Sequence, residues 1–216
     1  MSRPRIQYPV SDKMRRIHSS RGVSLVEVLI VVAMIATLTA VAMIQFSATN
    51  ESYNADNAAY KILNYCREAS SRAVSDHHSY RVVINTTTNN ISLINENSFA
   101  TGNGEGATLS GDDVLVKQEP VGTRVSFTQP AGINAPPSPY NYATATFTTG
   151  QWTAHFNSDG SLSDPYGSSP VSYTIFVQPT DNTTQLGLIR AVTLFGSSSS
   201  ARYWMYNTTT SAFIQG

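Results

Sequence analysis

The sequence predicts an α+β protein: a long N-terminal α-helix, membrane-spanning in its first half, packed on a C-terminal antiparallel β-sheet domain. Three observations predict it. Residues 23–46 carry a single charge, Glu27. No Pro stands between Pro9 and Pro120 and no Gly between Gly22 and Gly102, so no helix breaker interrupts that stretch. Beyond His78, short runs rich in β-branched and aromatic residues are separated by Asn, Thr, Gly and Pro.

Residues 1–22 form a basic leader. Arg3, Arg5, Lys13, Arg15, Arg16 and Arg21 face only Asp12, a net charge of +5, whereas residues 23–216 carry eight basic and thirteen acidic groups, a net of −5. The overall charge of zero hides this asymmetry. Residues 23–46 then form an apolar segment which, at a rise of about 1.5 Å per residue, reaches across a hydrocarbon core of ~30 Å. Basic flanks stay cytoplasmic, so the C-terminal part is expected to face outward.

Residues 47–76 read as the amphipathic half of the same helix, continuing from Val23 to about Asp76. Ala55, Ala59, Ile62, Cys66, Ala69 and Ala73 recur at spacings of 4, 3, 4, 3 and 4, one narrow helical stripe of small side chains that a sheet can approach closely. Asn54, Asp56, Lys61, Arg67, Glu68 and Arg72 lie off it. Cys66, the single cysteine, excludes an intramolecular disulfide and reads as a small buried hydrophobe.

Residues 77–216 form the β-rich head. Strands are predicted at 80–85 (YRVVIN), 91–96 (ISLINE), 113–119 (DVLVKQE), 124–129 (RVSFTQ), 171–178 (VSYTIFVQ), 188–195 (LIRAVTLF) and 201–207 (ARYWMYN). ATATFTT and WTAHFNSDGSL add further strand. NTTTNN, TGNGEG and NAPPSPYNY carry turn chemistry. The three N-T-T triplets at Asn85, Asn182 and Asn207 fit the glycosylation pattern but read as polar turns.

The basic leader, Gly22, Val23, Glu27 and the unbroken apolar helix together resemble the N-terminus of the type IV pilin and pseudopilin superfamily. More loosely, AHFNSDGSLS followed by VSYTIFVQ and LIRAVTLFGSSSSARYWMYN resembles the minor pseudopilins of the GspH/FimT type. The chain departs from the pattern in starting at Val23 where many members have Phe, and in having Ala36 and Ile44 where many have Gly and Pro. The resemblance implies that a prepilin peptidase cuts between Gly22 and Val23 and methylates the new amine. It implies other pilins or pseudopilins and an inner-membrane assembly platform as partners. The N-terminus would lie in the cytoplasm and the head in the periplasm or on an extracellular filament.

Glu27 takes its expected role from this frame. A carboxylate at membrane depth costs about 2.5 to 3.5 kcal/mol at a helix centre and normally has a partner. No Lys or Arg lies between Val23 and Tyr60. The new α-amino group of Val23, on a neighbouring subunit, supplies the opposite charge and sets axial register. The alternative is a carboxylate favoured in the first turn by the helix dipole.

Other function classes compete with this reading. AVA at 40–42 fits an ordinary signal-peptide cleavage site with a mature start at Met43, giving a secreted or anchored β-domain. No G-x-S-x-G, H-E-x-x-H or phosphate-cradling glycine motif is present, and His18, His77, His78 and His155 are scattered, so no catalytic residue, metal site or cofactor is assigned. NSDG at 157–160 offers oxygen ligands for calcium but reads first as a turn. A DNA-uptake role would use Arg202 with Tyr203, Trp204 and Tyr206 as stacking groups, against an acidic mature chain that disfavours nucleic acid.

Overall fold

The computed structural model describes residues 22–96, 108, 109, 111, 113–164, 169–181 and 184–216, with the backbone alone for 44–49. The predicted leader, apart from Gly22, and the TGNGEG loop lie outside the described residues. The architecture is α+β. Backbone is helical over Leu25–Asp76 (α1). The strands are β1 (Ser79–Asn85), β2 (Asn90–Glu96), β3 (Val114–Pro120), β4 (Val125–Ser126), β5 (Ala143–Thr144), β6 (Gln151–Phe156), β7 (Leu162–Ser163), β8 (Tyr173–Pro179), β9 (Arg190–Phe195), β10 (Ser200–Asn207) and β11 (Ala212–Gln215), with a 3-10 turn at Leu186–Leu188.

The chain divides into two compact units, Met1–Ile44 and Gln45–Gly216. In the first, Leu25–Met43 is apolar enough to cross a membrane by length and composition, with 19 residues, a mean hydropathy of 2.5 and no buried part. At about 1.5 Å per residue it measures about 28 Å, close to a bilayer's hydrocarbon thickness. This span is shorter than the 23–46 read from the sequence. Val23 and Ser24 precede the first helical residue, and the side chains of 44–46 lie outside the described residues.

In the second unit α1 ends where predicted, at Asp76, because His77 takes a left-handed conformation (φ 56°). A residue of that geometry closes a helix and turns the chain into the next element. Ala55, Ala59, Ile62, Cys66, Ala69 and Ala73 are all fully buried, but so are Ala58, Leu63 and Tyr65. The buried face is therefore wider than one stripe. Over residues 53–74 only Tyr53, Asn57, Tyr60, Asn64, Arg67, Ser71 and Val74, again at spacings of 4 and 3, are exposed.

Two sheets account for that width. The first has the order β3-β2-β1-β6-β7, the second β11-β10-β9-β8-β4. Among the described residues the strands pair antiparallel except β5, which joins β8 in parallel. The side chains of Tyr80, Val82 and Ile84 on β1, Trp152 and Phe156 on β6, Val192 and Leu194 on β9, and Tyr203 on β10 share one apolar core with α1. Small residues let the layers meet. A side chain at Gly122, just after β3, would place its Cβ 3.1 Å from that of Ala58.

The outer face of the second sheet carries a second core of Ile133, Phe176, Ile189, Ala191, Trp204, Tyr206 and Phe213, against which Tyr140 of the proline-rich loop packs. The RVSFTQ run contributes only Val125–Ser126 as strand. Arg124 has φ 58°, which bends the backbone out of the extended region. Strand β11 lies beyond the last strand that the sequence predicts. The polar turns behave as read: Asn85 Oδ1 accepts from the Thr87 and Thr88 amides, and Asn207 Oδ1 from those of Thr209 and Thr210. Asn182 lies outside the described residues.

Candidate functional site

The three residues singled out from the sequence, Gly22, Val23 and Glu27, meet at the start of α1. A Cβ at Gly22 would touch nothing within 4 Å, so the backbone there is open on every described side. The Ser24 carbonyl accepts the Glu27 and Val28 amides at 3.0 and 3.2 Å, which begins the helix. Val23 and Glu27 are one turn apart and, with Val28, Val31 and Val32, line one concavity. No hydrogen bond or ion pair holds the Glu27 carboxylate among the described residues. All the described side chains of Leu25–Met43 are exposed.

A second constellation, not foreseen from the sequence, ties α1 to the second sheet. Asp56 Oδ1 accepts from Arg190 Nε at 2.5 Å and from the Tyr203 hydroxyl at 2.5 Å, and Oδ2 from Arg190 Nη2 at 3.2 Å. Ser52 Oγ lies 3.4 Å from Oδ2. Burial raises the pKa of Asp56, and the donors of Arg190 and Tyr203 outweigh it, so the carboxyl ends below its ordinary range. Burial and the same hydrogen bond push the Tyr203 phenol up, which keeps it a donor. Tyr60 stacks on Tyr203 with ring centroids 4.4 Å apart. A sequence separation of 134 hides the pair from any sequence window.

A third group sits on the face of the first sheet turned away from α1. Arg81 on β1 bonds Glu96 on β2 at 2.6 Å and Asp113 at 3.2 Å, and donates to the Thr108 carbonyl at 2.9 Å. His155 Nδ1 on β6 lies 3.1 Å from Glu96. All four side chains are fully buried. Strand alternation explains the placement: Tyr80 and Val82 point toward α1, so Arg81 points the other way. The arrangement is a buried ion network that couples three strands to the segment before β3.

The remaining sequence candidates resolve as structural parts. NSDG is the turn between β6 and β7, with Gly160 at φ 82° and Asp159 Oδ1 accepting from both the amide and the hydroxyl of Ser161. Cys66 is buried, and burial pushes its thiol up to about 12. Tyr203, Trp204 and Tyr206 are core side chains, 4–8 % exposed, and Trp204 Nε1 donates to Thr193 Oγ1. They therefore present no free rings for base stacking. Among the described residues no three His, Cys, Asp or Glu side chains are grouped to hold a metal.

Comparison with known proteins adds no family. No protein-family model, curated protein or solved structure matches the chain.

Proposed function

We propose that the chain is a prepilin-like assembly subunit, a minor pilin or pseudopilin of a type IV pilus or type II secretion system that helps initiate or cap a filament. The carrying observation is the apolar helix Leu25–Met43, exposed at every position, whose one charge, Glu27, has no partner among the described residues and shares a face with Val23. A helix of that kind needs lipid or other helices around it, since nothing described in its own unit covers it.

In this reading the basic leader keeps the N-terminus in the cytoplasm, the helix anchors the chain in the bacterial inner membrane and the head faces the periplasm. Prepilin peptidase cleaves between Gly22 and Val23 and methylates Val23. The open backbone at Gly22 supports entry into a narrow active site. The Val23 ammonium of an adjoining pilin or pseudopilin then meets Glu27, which offsets the cost of holding a carboxylate at that depth and fixes register between helices. The inner-membrane assembly platform supplies the site where subunits join.

Glu27→Gln tests the pairing. Expected is a chain that is still cleaved and still in the membrane but is missing from the large assemblies recovered by shearing or mild detergent extraction, as read by immunoblot. Assembly of the Gln variant at the wild-type level would defeat the reading.

A further inference from the structure

Only two lysines follow residue 22, Lys61 on α1 and Lys117 on β3, and both line one cavity of about 170 Å³ between these elements. Asn57, Tyr60, Asn64, Tyr65 and Glu119 complete its lining. Lys61 Nζ donates to the Pro120 carbonyl at 2.6 Å and lies 3.8 Å from Glu119, too far for a hydrogen bond. Lys117 Nζ is 3.0 Å from the other Glu119 oxygen and 4.7 Å above the Tyr65 ring. Each ammonium has three donors and commits one, so several N–H groups remain unused. Two cations share one carboxylate here, in a protein whose residues from 23 onward carry a net charge of −5.

Tyr65 is the second observation. Its hydroxyl is buried, has no hydrogen-bond partner, and belongs to a residue only 1 % exposed. Leaving such a donor unpaired costs about 1–3 kcal/mol unless an acceptor arrives. Burial, with the Glu119 and Glu68 charges adding to it, pushes the phenol up, so it stays protonated and able to donate.

We infer that this groove binds a carboxylate presented by an acidic side chain of a partner polypeptide. The same edge strand exposes Val114 and Leu115, which a polypeptide would cover and a free anion would not. Lys61, Lys117 and the Tyr65 hydroxyl hold the incoming carboxylate, and the Asn57 and Asn64 amides offer further donors. Glu119 acts as the internal competitor that keeps the two ammonium groups positioned when the groove is empty. None of this depends on the filament reading, because it uses only residues of the second unit.

The test is a titration of the full chain, in detergent micelles and labelled at lysine with ¹³C and ¹⁵N, with N-acetylglutamate α-amide, N-acetylglutamine α-amide and inorganic phosphate. The acidic probe is expected to shift the Lys61 and Lys117 signals saturably while the neutral probe does not. Tyr65→Phe should weaken binding about tenfold, the loss of one charge-assisted hydrogen bond. Glu119→Gln should tighten it several-fold by removing the competitor, a gain that a purely structural ion pair would not give. Unchanged circular dichroism melts establish that the variants fold. Absence of a saturable shift, tighter binding of phosphate than of the acidic probe, or an unchanged affinity in Glu119→Gln would each overturn the inference.

Discussion

Replacing Asp56 by Asn removes the charge at the point where α1 is fastened to β9 and β10. Asp56 receives two hydrogen bonds from Arg190 and one from Tyr203, and Arg190 is only 7 % exposed. Hydrogen bonds to a charged group contribute about 1.5–3 kcal/mol each when buried. Asp56 itself is 32 % exposed, so solvent screening lowers the sum. Arg190 also keeps the Gly187 carbonyl at 2.7 Å as a second acceptor. Expected is a loss of about 2–3 kcal/mol, or a Tm fall of roughly 4–12 °C for a unit of this size. The assay is thermal unfolding of the full chain in detergent, followed by near-ultraviolet circular dichroism. The pH dependence gives the sign. A carboxyl with a depressed folded pKa contributes stability above its unfolded value and loses it as pH falls through the folded one. The gap between wild type and Asp56→Asn should hold from neutrality to about pH 4 and close below it. A loss under about 0.5 kcal/mol, or a gap that does not shrink as pH falls below the ordinary carboxylate range, would refute the reasoning.

Arg81→Met removes the buried cation that Glu96 and Asp113 face and is expected to cost about 3–5 kcal/mol, read as a lower denaturation midpoint in urea; a change within about 0.5 kcal/mol would contradict the buried network. The Cys66 thiol, buried and pushed up to about 12, should not react with a maleimide at pH 7 until the head is unfolded, so rapid labelling of the native chain would contradict its placement in the core. Gly122→Leu drives a side chain against Ala58 and should cost about 1–3 kcal/mol by thermal melt, and an unchanged melt would show that α1 and the segment after β3 are not in close contact.

What was legible in the sequence was whatever local pattern dictates. The strands β1, β2, β8, β9 and β10 come from alternation bounded by turn residues, and the end of α1 comes from the loss of the 3.6-residue period. The buried Ala stripe was readable too, but its width was not. A helix clasped by two sheets buries Ala58 and Tyr65 along with Ala55 and Cys66, and periodicity alone cannot count the layers around it. Arg81 reads as the solvent face of a strand until the segment with Thr108 and Asp113 is laid over it. Asp56 with Arg190, and Lys61 with Lys117, are brought together only by tertiary folding. RVSFTQ has the composition of a strand, yet only Val125–Ser126 pair with β8, after a left-handed Arg124 that the side chain does not advertise. At the N-terminus the situation is reversed. Gly22, Val23 and Glu27 sit within one short stretch, so the sequence alone brings them together.

Intact-mass spectrometry of the chain extracted from its native membranes tests the central claim most directly. The account predicts a species beginning at Val23 and carrying one added methyl group on its amine. A chain that retains residues 1–22, or one that begins at Met43, would contradict it.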